Sequence, residues 1–119
     1  MNIAIESVLE KKNTILEETI RYMTVSDNDN HVGYNRLYDF FDRTFNYDEI
    51  KVIITLMYAG REYYSQNLVY NGECVEEIFY KYSKFIIGLL MEGKEMLIHQ
   101  MVEKKNKIGI YFETIFNYI

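Results

Sequence analysis

The sequence predicts an all-α, single-domain bundle spanning 1–119, with about six helices around a central hydrophobic helix at about 83–103. Three observations carry this. Apolar residues recur along most of the chain at spacings of three and four, the period of one helix face. The stretch Asn46-Tyr47-Asp48-Glu49 has the form of a capping box at a helix start. From Phe85 to Met91 no residue carries a polar side chain, so the run covers every face of nearly two helical turns and must be surrounded by other elements. A chain of 119 residues, 49% of them hydrophobic, is long enough to bury a core without disulfides or metals.

The first helix is read from Ile5, Leu9, Leu16, Ile20 and Met23, with Val8 and Ile15 widening the stripe and Glu10, Lys11, Glu17 and Glu18 opposite. The stretch SDNDNHVGYN that follows fails as an EF-hand in either register. From Asp27 the sixth residue is Val32 instead of glycine, and from Asn28 the fifth is Val32 instead of a ligand. Its Ser, Asp and Asn side chains compete for backbone groups, which predicts an interhelical loop. A short second helix begins near Asn35, with Leu37, Phe40, Phe41 and Phe45 on one face. Asn46 caps the third, whose apolar face is Ile50, Ile53, Ile54, Met57 and Tyr58, and Gly60-Arg61 marks its last turn.

The pair Asn71-Gly72 predicts a turn, and a fourth helix starts at Glu73 with Val75, Ile78, Phe79 and Tyr82 inward. Gly88, inside the Phe85–Met91 run, costs about 1 kcal/mol of helix propensity relative to alanine, so it is assigned to a close backbone approach. Ile108, Tyr111, Phe112, Ile115 and Phe116 form the closing helix.

The net charge of −5 argues against a protein that neutralises nucleic-acid phosphates, so the expected partners are proteins. The single cysteine, Cys74, suits a reducing compartment. The N-terminal stretch MNIAIESVLEKK does not read as a signal peptide, and no apolar run reaches membrane-spanning length; a soluble, intracellular chain without a membrane anchor is expected. Glu95, His99 and Glu103 follow one another at i, i+4, a spacing that lines up possible metal or acid–base groups. One histidine with two acids leaves a zinc site short of ligands, and an exposed polar stripe is the reading adopted. Cys74 has no histidine near it in sequence, and no phosphate-binding loop is present. No enzyme, metal or cofactor is expected. Several of the tyrosines, Tyr38, Tyr58, Tyr63, Tyr64, Tyr80 and Tyr82, suit an interface as well as a core.

The order of IRYM, SDNDNH, GYNRLYDFF, YDEIKVIITLMYAG, KFIIGLLMEG and YFETIFNYI resembles the poxviral Bcl-2-like family of intracellular immunomodulators, in particular its short members without a membrane tail. The resemblance implies a Bcl-2-like fold with FIIGLLM at its centre. It also implies a non-enzymatic module acting in the host cell cytoplasm, where it inhibits innate immune signalling (NF-κB or interferon pathways), apoptosis, or both, by binding host signalling or pro-apoptotic proteins. For apoptosis the mode would be helix-in-groove, a BH3 helix seated among Leu37, Phe41, Ile50, Ile54, Met57 and Ile87. Cellular relatives place an arginine after the glycine of the central helix, whereas Gly88 is followed by Leu89. The short members form homodimers through their first and last helices, which points to Ile5, Leu9, Ile110, Ile115 and Tyr118 as the interface. The alternative is an acidic bacterial or phage helical inhibitor or adaptor; its carboxylates would gather on one face, and here they are scattered along the chain.

Overall fold

A computed structural model describes residues 2–24, 30–67, 72–105 and 107–119. Among them are eight helices and no strand: α1 (Ile3–Glu10), α2 (Lys12–Met23), α3 (Asn30–Thr44), α4 (Tyr47–Gln66), α5 (Val75–Phe85), α6 (Ile87–Leu90), α7 (Lys94–Val102) and α8 (Ile108–Tyr118). The all-α expectation is met. Much of the interhelical loop expected near residue 26 and part of the segment before Gly72 lie outside the described residues.

The helix at the centre is α4, and its sequence explains why. Asn46 Oδ1 accepts the Glu49 N–H at 2.9 Å while the Asn46 N–H donates to Glu49 Oε1 at 2.8 Å, so the expected capping box closes. From that start the chain continues for 20 residues, on the order of 30 Å of helix. Val52, Ile53, Ile54, Thr55, Leu56 and Met57 are all buried in succession, so every face of the helix is covered. Thr55, the one hydroxyl in that run, is satisfied by donating to the Lys51 carbonyl at 2.7 Å. The helices α1, α5, α7 and α8 all lie against α4, with α8 the most extensive neighbour.

The expected central helix at about 83–103 is therefore a correction. That segment is divided into the end of α5, the single turn α6 and α7, with breaks at Ile86 and at residues 91–93. Phe85 is 77% exposed, Ile87 66% and Met91 82%, so the apolar run lies against solvent. Two apolar segments compete for one central position. The 47–66 segment has a closed N-terminal cap and an unbroken helix, whereas 85–91 contains Gly88 and runs into Glu92-Gly93, where Gly93 begins α7 in an extended conformation.

The glycines exchange roles with the expectation as well. A Cβ on Gly88 would meet nothing within 4 Å, so no backbone approaches it. Gly60, expected near a helix end, lies inside α4 where α8 crosses, and a Cβ there would stand 2.0 Å from the Tyr111 carbonyl oxygen. The absent side chain is what lets α4 and α8 meet. Beyond Gly60 the helix continues to Gln66 and closes on Asn67 in the left-handed conformation (φ 51°).

The expected first helix is two. Lys11 leaves helical geometry (φ −107°, ψ 13°) between α1 and α2. Ile5 and Val8 of α1 face α4, while Ile15, Thr19 and Tyr22 of α2 face α3 and α8, and one straight rod does not serve both directions. The buried stripe is thus centred on Val8 and Ile15; Leu9 and Leu16 are half-buried and Ile20 is exposed. In α3, which starts at Asn30 instead of near Asn35, Leu37 and Phe41 enter the core as expected, and so does Phe45 just past its end. Ile108, Phe112, Ile115 and Phe116 of α8 do likewise.

Glu49 ties the core to its edge. Besides capping α4 it accepts a short hydrogen bond from Ser7 of α1. Burial alone would raise its pKa, but the bonds from Ser7 and the Asn46 N–H, with the charges of Lys11 and Lys94, outweigh burial and bring it below its ordinary value near 4.5. A carboxyl lowered on folding contributes stability above its unfolded pKa, and that contribution fades as pH falls through the folded one. Glu49→Gln should therefore unfold at lower urea than the parent at pH 7, with the gap closing below about pH 4.5. A gap unchanged down to pH 3 would contradict this.

Candidate functional site

A surface groove with several exposed apolar side chains is built where the N-termini of α1 and α4 face α5 and α6. Asn2 caps α1 by accepting the N–H groups of Ala4 (2.8 Å) and Ile5 (3.3 Å), which fixes Ile3 outward at the helix start, 82% exposed. Across from it, Phe79 and Ser83 of α5, Ile87 and Leu90 of α6, and Met91 form the other wall. Tyr47, the first residue of α4, reaches over and donates a short hydrogen bond to the Glu92 carbonyl, with the Leu90 carbonyl at 3.5 Å, so the end of α6 is held to α4. The groove between these walls encloses about 850 Å³. Charges at its edge are already compensated: Asp48 pairs with Lys51 at 3.4 Å, and Glu49 is held by Ser7 and Asn46.

A second concavity of about 670 Å³ lies between the C-terminal half of α4, α5 and α8. Tyr63, Tyr82 and Tyr118 line it, with Tyr63 and Tyr118 ring centroids 4.2 Å apart. The buried Tyr63 hydroxyl stands close to Tyr82 but makes no hydrogen bond of good geometry. Burial, followed by the neighbouring Tyr82, Glu73 and Tyr118, pushes its pKa far up, so it is a poor proton donor.

The groups singled out for chemistry are tied into structure. The Tyr34 hydroxyl lies 2.6 Å from His99 Nδ1, and His99 Nε2 lies 2.8 Å from Glu103, so both ring nitrogens are engaged. These contacts fasten α3 to α7, and neither concavity is lined by them. Glu95 stands apart from that chain, near enough to Tyr38 to help raise its pKa after burial has done so. Among the described residues, no group of three or more His, Cys, Asp or Glu is placed to hold a metal ion. Cys74, exposed at the start of α5, is not activated by that helix end. The Glu77 N–H favours its thiolate, but the Glu77 carboxylate, which accepts from Sγ at 3.3 Å, together with slight burial and Glu76, leaves the thiol pKa raised.

The residues expected to wall a BH3 groove are placed differently. Leu37, Phe41, Ile50, Ile54 and Met57 are all buried in the core and face no opening, because α4 is central and its apolar positions are used by its neighbours. Ile87 alone of that set is on the surface, and it lines the α1/α4/α6 groove. The residues expected at the dimer interface lie partly inside the protomer. Ile5, Ile115 and Tyr118 are buried within the protomer, while Leu9 and Ile110 are half-buried. The apolar side chains of α8 pack against α4 and α2. Ile3, Phe79, Leu90 and Met91, absent from the expected sites, line the groove instead. Leu90 and Met91 belong to the same apolar run that pointed to the core, and Ile3 and Phe79 lie outside it.

Among the described residues no helix is long and apolar enough to cross a membrane. In comparisons with known proteins, no family model, no curated protein and no solved structure matches this chain.

Proposed function

We propose that this chain is a non-catalytic protein-interaction module whose α1/α4/α6 groove takes an amphipathic helix of another protein. The supporting observation is the exposure of Ile3, Ile87 and Met91 along one apolar groove. Apolar side chains left in water around a groove are unfavourable in isolation and mark interaction surfaces. Helix-in-groove sites take ligands that present apolar side chains at i, i+3, i+4 and i+7, and such a helix is the ligand assigned to this groove. The engagement of His99 in a structural relay and the raised Cys74 thiol support a non-catalytic reading.

Host signalling or pro-apoptotic proteins in the cytoplasm of an infected cell are the partner class that the poxviral Bcl-2-like resemblance suggests. That part of the proposal rests on the order of short sequence motifs. The same resemblance implied FIIGLLM at the centre, a position that α4 holds instead, so the order of motifs is the one support that remains for this partner class. Inhibition of NF-κB, interferon-gene or apoptotic signalling on expression of the chain is the corresponding expected effect, and reporters unchanged in all three would remove that partner class.

The groove is tested by titrating a panel of BH3 and other amphipathic helical peptides onto the parent and onto Ile87→Lys. The expected result is micromolar binding of at least one peptide by the parent. A lysine in the apolar wall should weaken that binding at least tenfold, with an unchanged unfolding midpoint because Ile87 is largely exposed. No binding by any peptide, or equal binding by both proteins, would overturn the groove assignment.

A further inference from the structure

On the face of α5 that points away from the core, Glu77, Tyr80, Lys81, Lys84 and Phe85 form one stripe at i, i+3, i+4, i+7 and i+8, around a shallow concavity. All five are exposed, Tyr80 by 62% and Phe85 by 77%. Two large aromatic rings in water on one helix face are unusual for a face with no partner.

The charges on the stripe are the more specific observation. Glu77 precedes Lys81 by four residues, the favourable order for an intrahelical ion pair, yet no such pair forms. Lys81 lies instead over the Tyr82 ring, 5.5 Å from its centroid. Among the described residues Lys84 makes no ion pair, and the Glu77 carboxylate accepts a hydrogen bond from the Cys74 thiol and forms no ion pair. The acid stands at the N-terminal end of the stripe and the bases toward its C-terminal end. Such a face is complementary to itself when reversed. Laid antiparallel on a second copy, Glu77 falls opposite Lys84, Tyr80 falls opposite Lys81, and each Phe85 covers the first turn of the other α5.

We propose that the exposed stripe of α5 is a self-association surface on which two copies of the chain dock antiparallel about a two-fold axis. The occupant is a second copy, because the pattern of charge matches its own reverse. A two-fold axis makes each Glu77–Lys84 pair occur twice and places cation–π contacts between Lys81 and Tyr80 at the centre. The net charge of −5 per copy opposes association over the whole surface, so the local pairing and the aromatic rings must carry it. This surface is separate from the α1/α4/α6 groove, and the proposal stands without it.

The test is sedimentation equilibrium of the full chain from about 1 to 100 µM, a range chosen to cover the weak end of specific interfaces. The parent should move from monomer to dimer across this range. Glu77→Lys and Lys84→Glu should each weaken dimerisation at least tenfold, and the double variant Glu77→Lys/Lys84→Glu should restore it to within about threefold of the parent, each 1.4 kcal/mol being tenfold. Circular dichroism should show all three variants folded, with melting midpoints only slightly below the parent's, because both residues are exposed but Glu77 lies in the first turn of α5 and Lys84 in its last, where each native charge favours the helix. A parent that stays monomeric to 100 µM overturns the proposal. Single variants that dimerise like the parent also overturn it, as does a double variant no better than the singles.

Discussion

Gly60→Ala should destabilise the protein by about 3 kcal/mol, beyond what a single added methyl costs at most core positions. The added carbon would stand 2.0 Å from the Tyr111 carbonyl oxygen and 2.8 Å from its carbonyl carbon, with Ile115 Cβ at 3.3 Å. Two of those three neighbours are backbone, which does not rotate out of the way, so α8 must shift as a body. Displacing α8 disturbs Phe112, Ile115 and Phe116 together, and that is why the effect exceeds a local clash. The control is Gly88→Ala, where a Cβ meets nothing. There alanine should stabilise by about 0.5–1 kcal/mol through helix propensity and a less flexible unfolded chain. Urea unfolding of the two variants measures both effects. Equal effects, or the larger loss at Gly88, would mean that the close helix crossing has been placed at the wrong glycine.

Phe41→Ala should cost about 3–5 kcal/mol, the range for emptying a fully buried aromatic site. Phe41 is buried in α3 against Phe40 and, just past the helix end, Phe45, with ring centroids 5.3 and 6.3 Å away, and its removal leaves a void that these two rings do not close. Phe85→Ala is the matched case. The same atoms are removed, but 77% of that residue is already in water, and the expected change is within about 0.5 kcal/mol. Unfolding midpoints for the pair separate a residue that holds the fold from one that is free to meet a partner.

Local chemistry was legible in the sequence, and its outcome was fixed by short-range bonds. Asn46 and Glu49 were readable as a capping box because both hydrogen bonds lie within four residues. Leu37, Phe41 and Phe45, and the buried face of α8, were readable because spacing alone selects them. The identity of the central helix was not readable in this way. Residues 50–59 and 85–91 are both apolar on most faces, and which one is enclosed depends on the neighbours that reach it. The break at Lys11 has the same origin, since α1 and α2 serve different neighbours.

The candidate site inherited that ambiguity. An apolar side chain destined for the core and one left for a partner look alike in a sequence, so Leu37, Phe41, Ile50, Ile54 and Met57 were assigned to a groove and are core. Ile87 was assigned to the same groove and is on the surface, though on a different one. The α5 stripe of Glu77, Tyr80, Lys81, Lys84 and Phe85 was not singled out from the sequence, because whether Glu77 pairs with Lys81 is decided only in the fold.

Residue-resolved native-state hydrogen exchange bears most directly on the placement of α4 at the centre and of 85–91 at the surface. Amides from Ile53 to Ala59 should exchange only through global unfolding and be among the slowest in the chain, while those from Ile87 to Met91 should open locally and exchange orders of magnitude faster. Protection at 87–91 equal to that of α4, or a fast-exchanging α4, would contradict the arrangement.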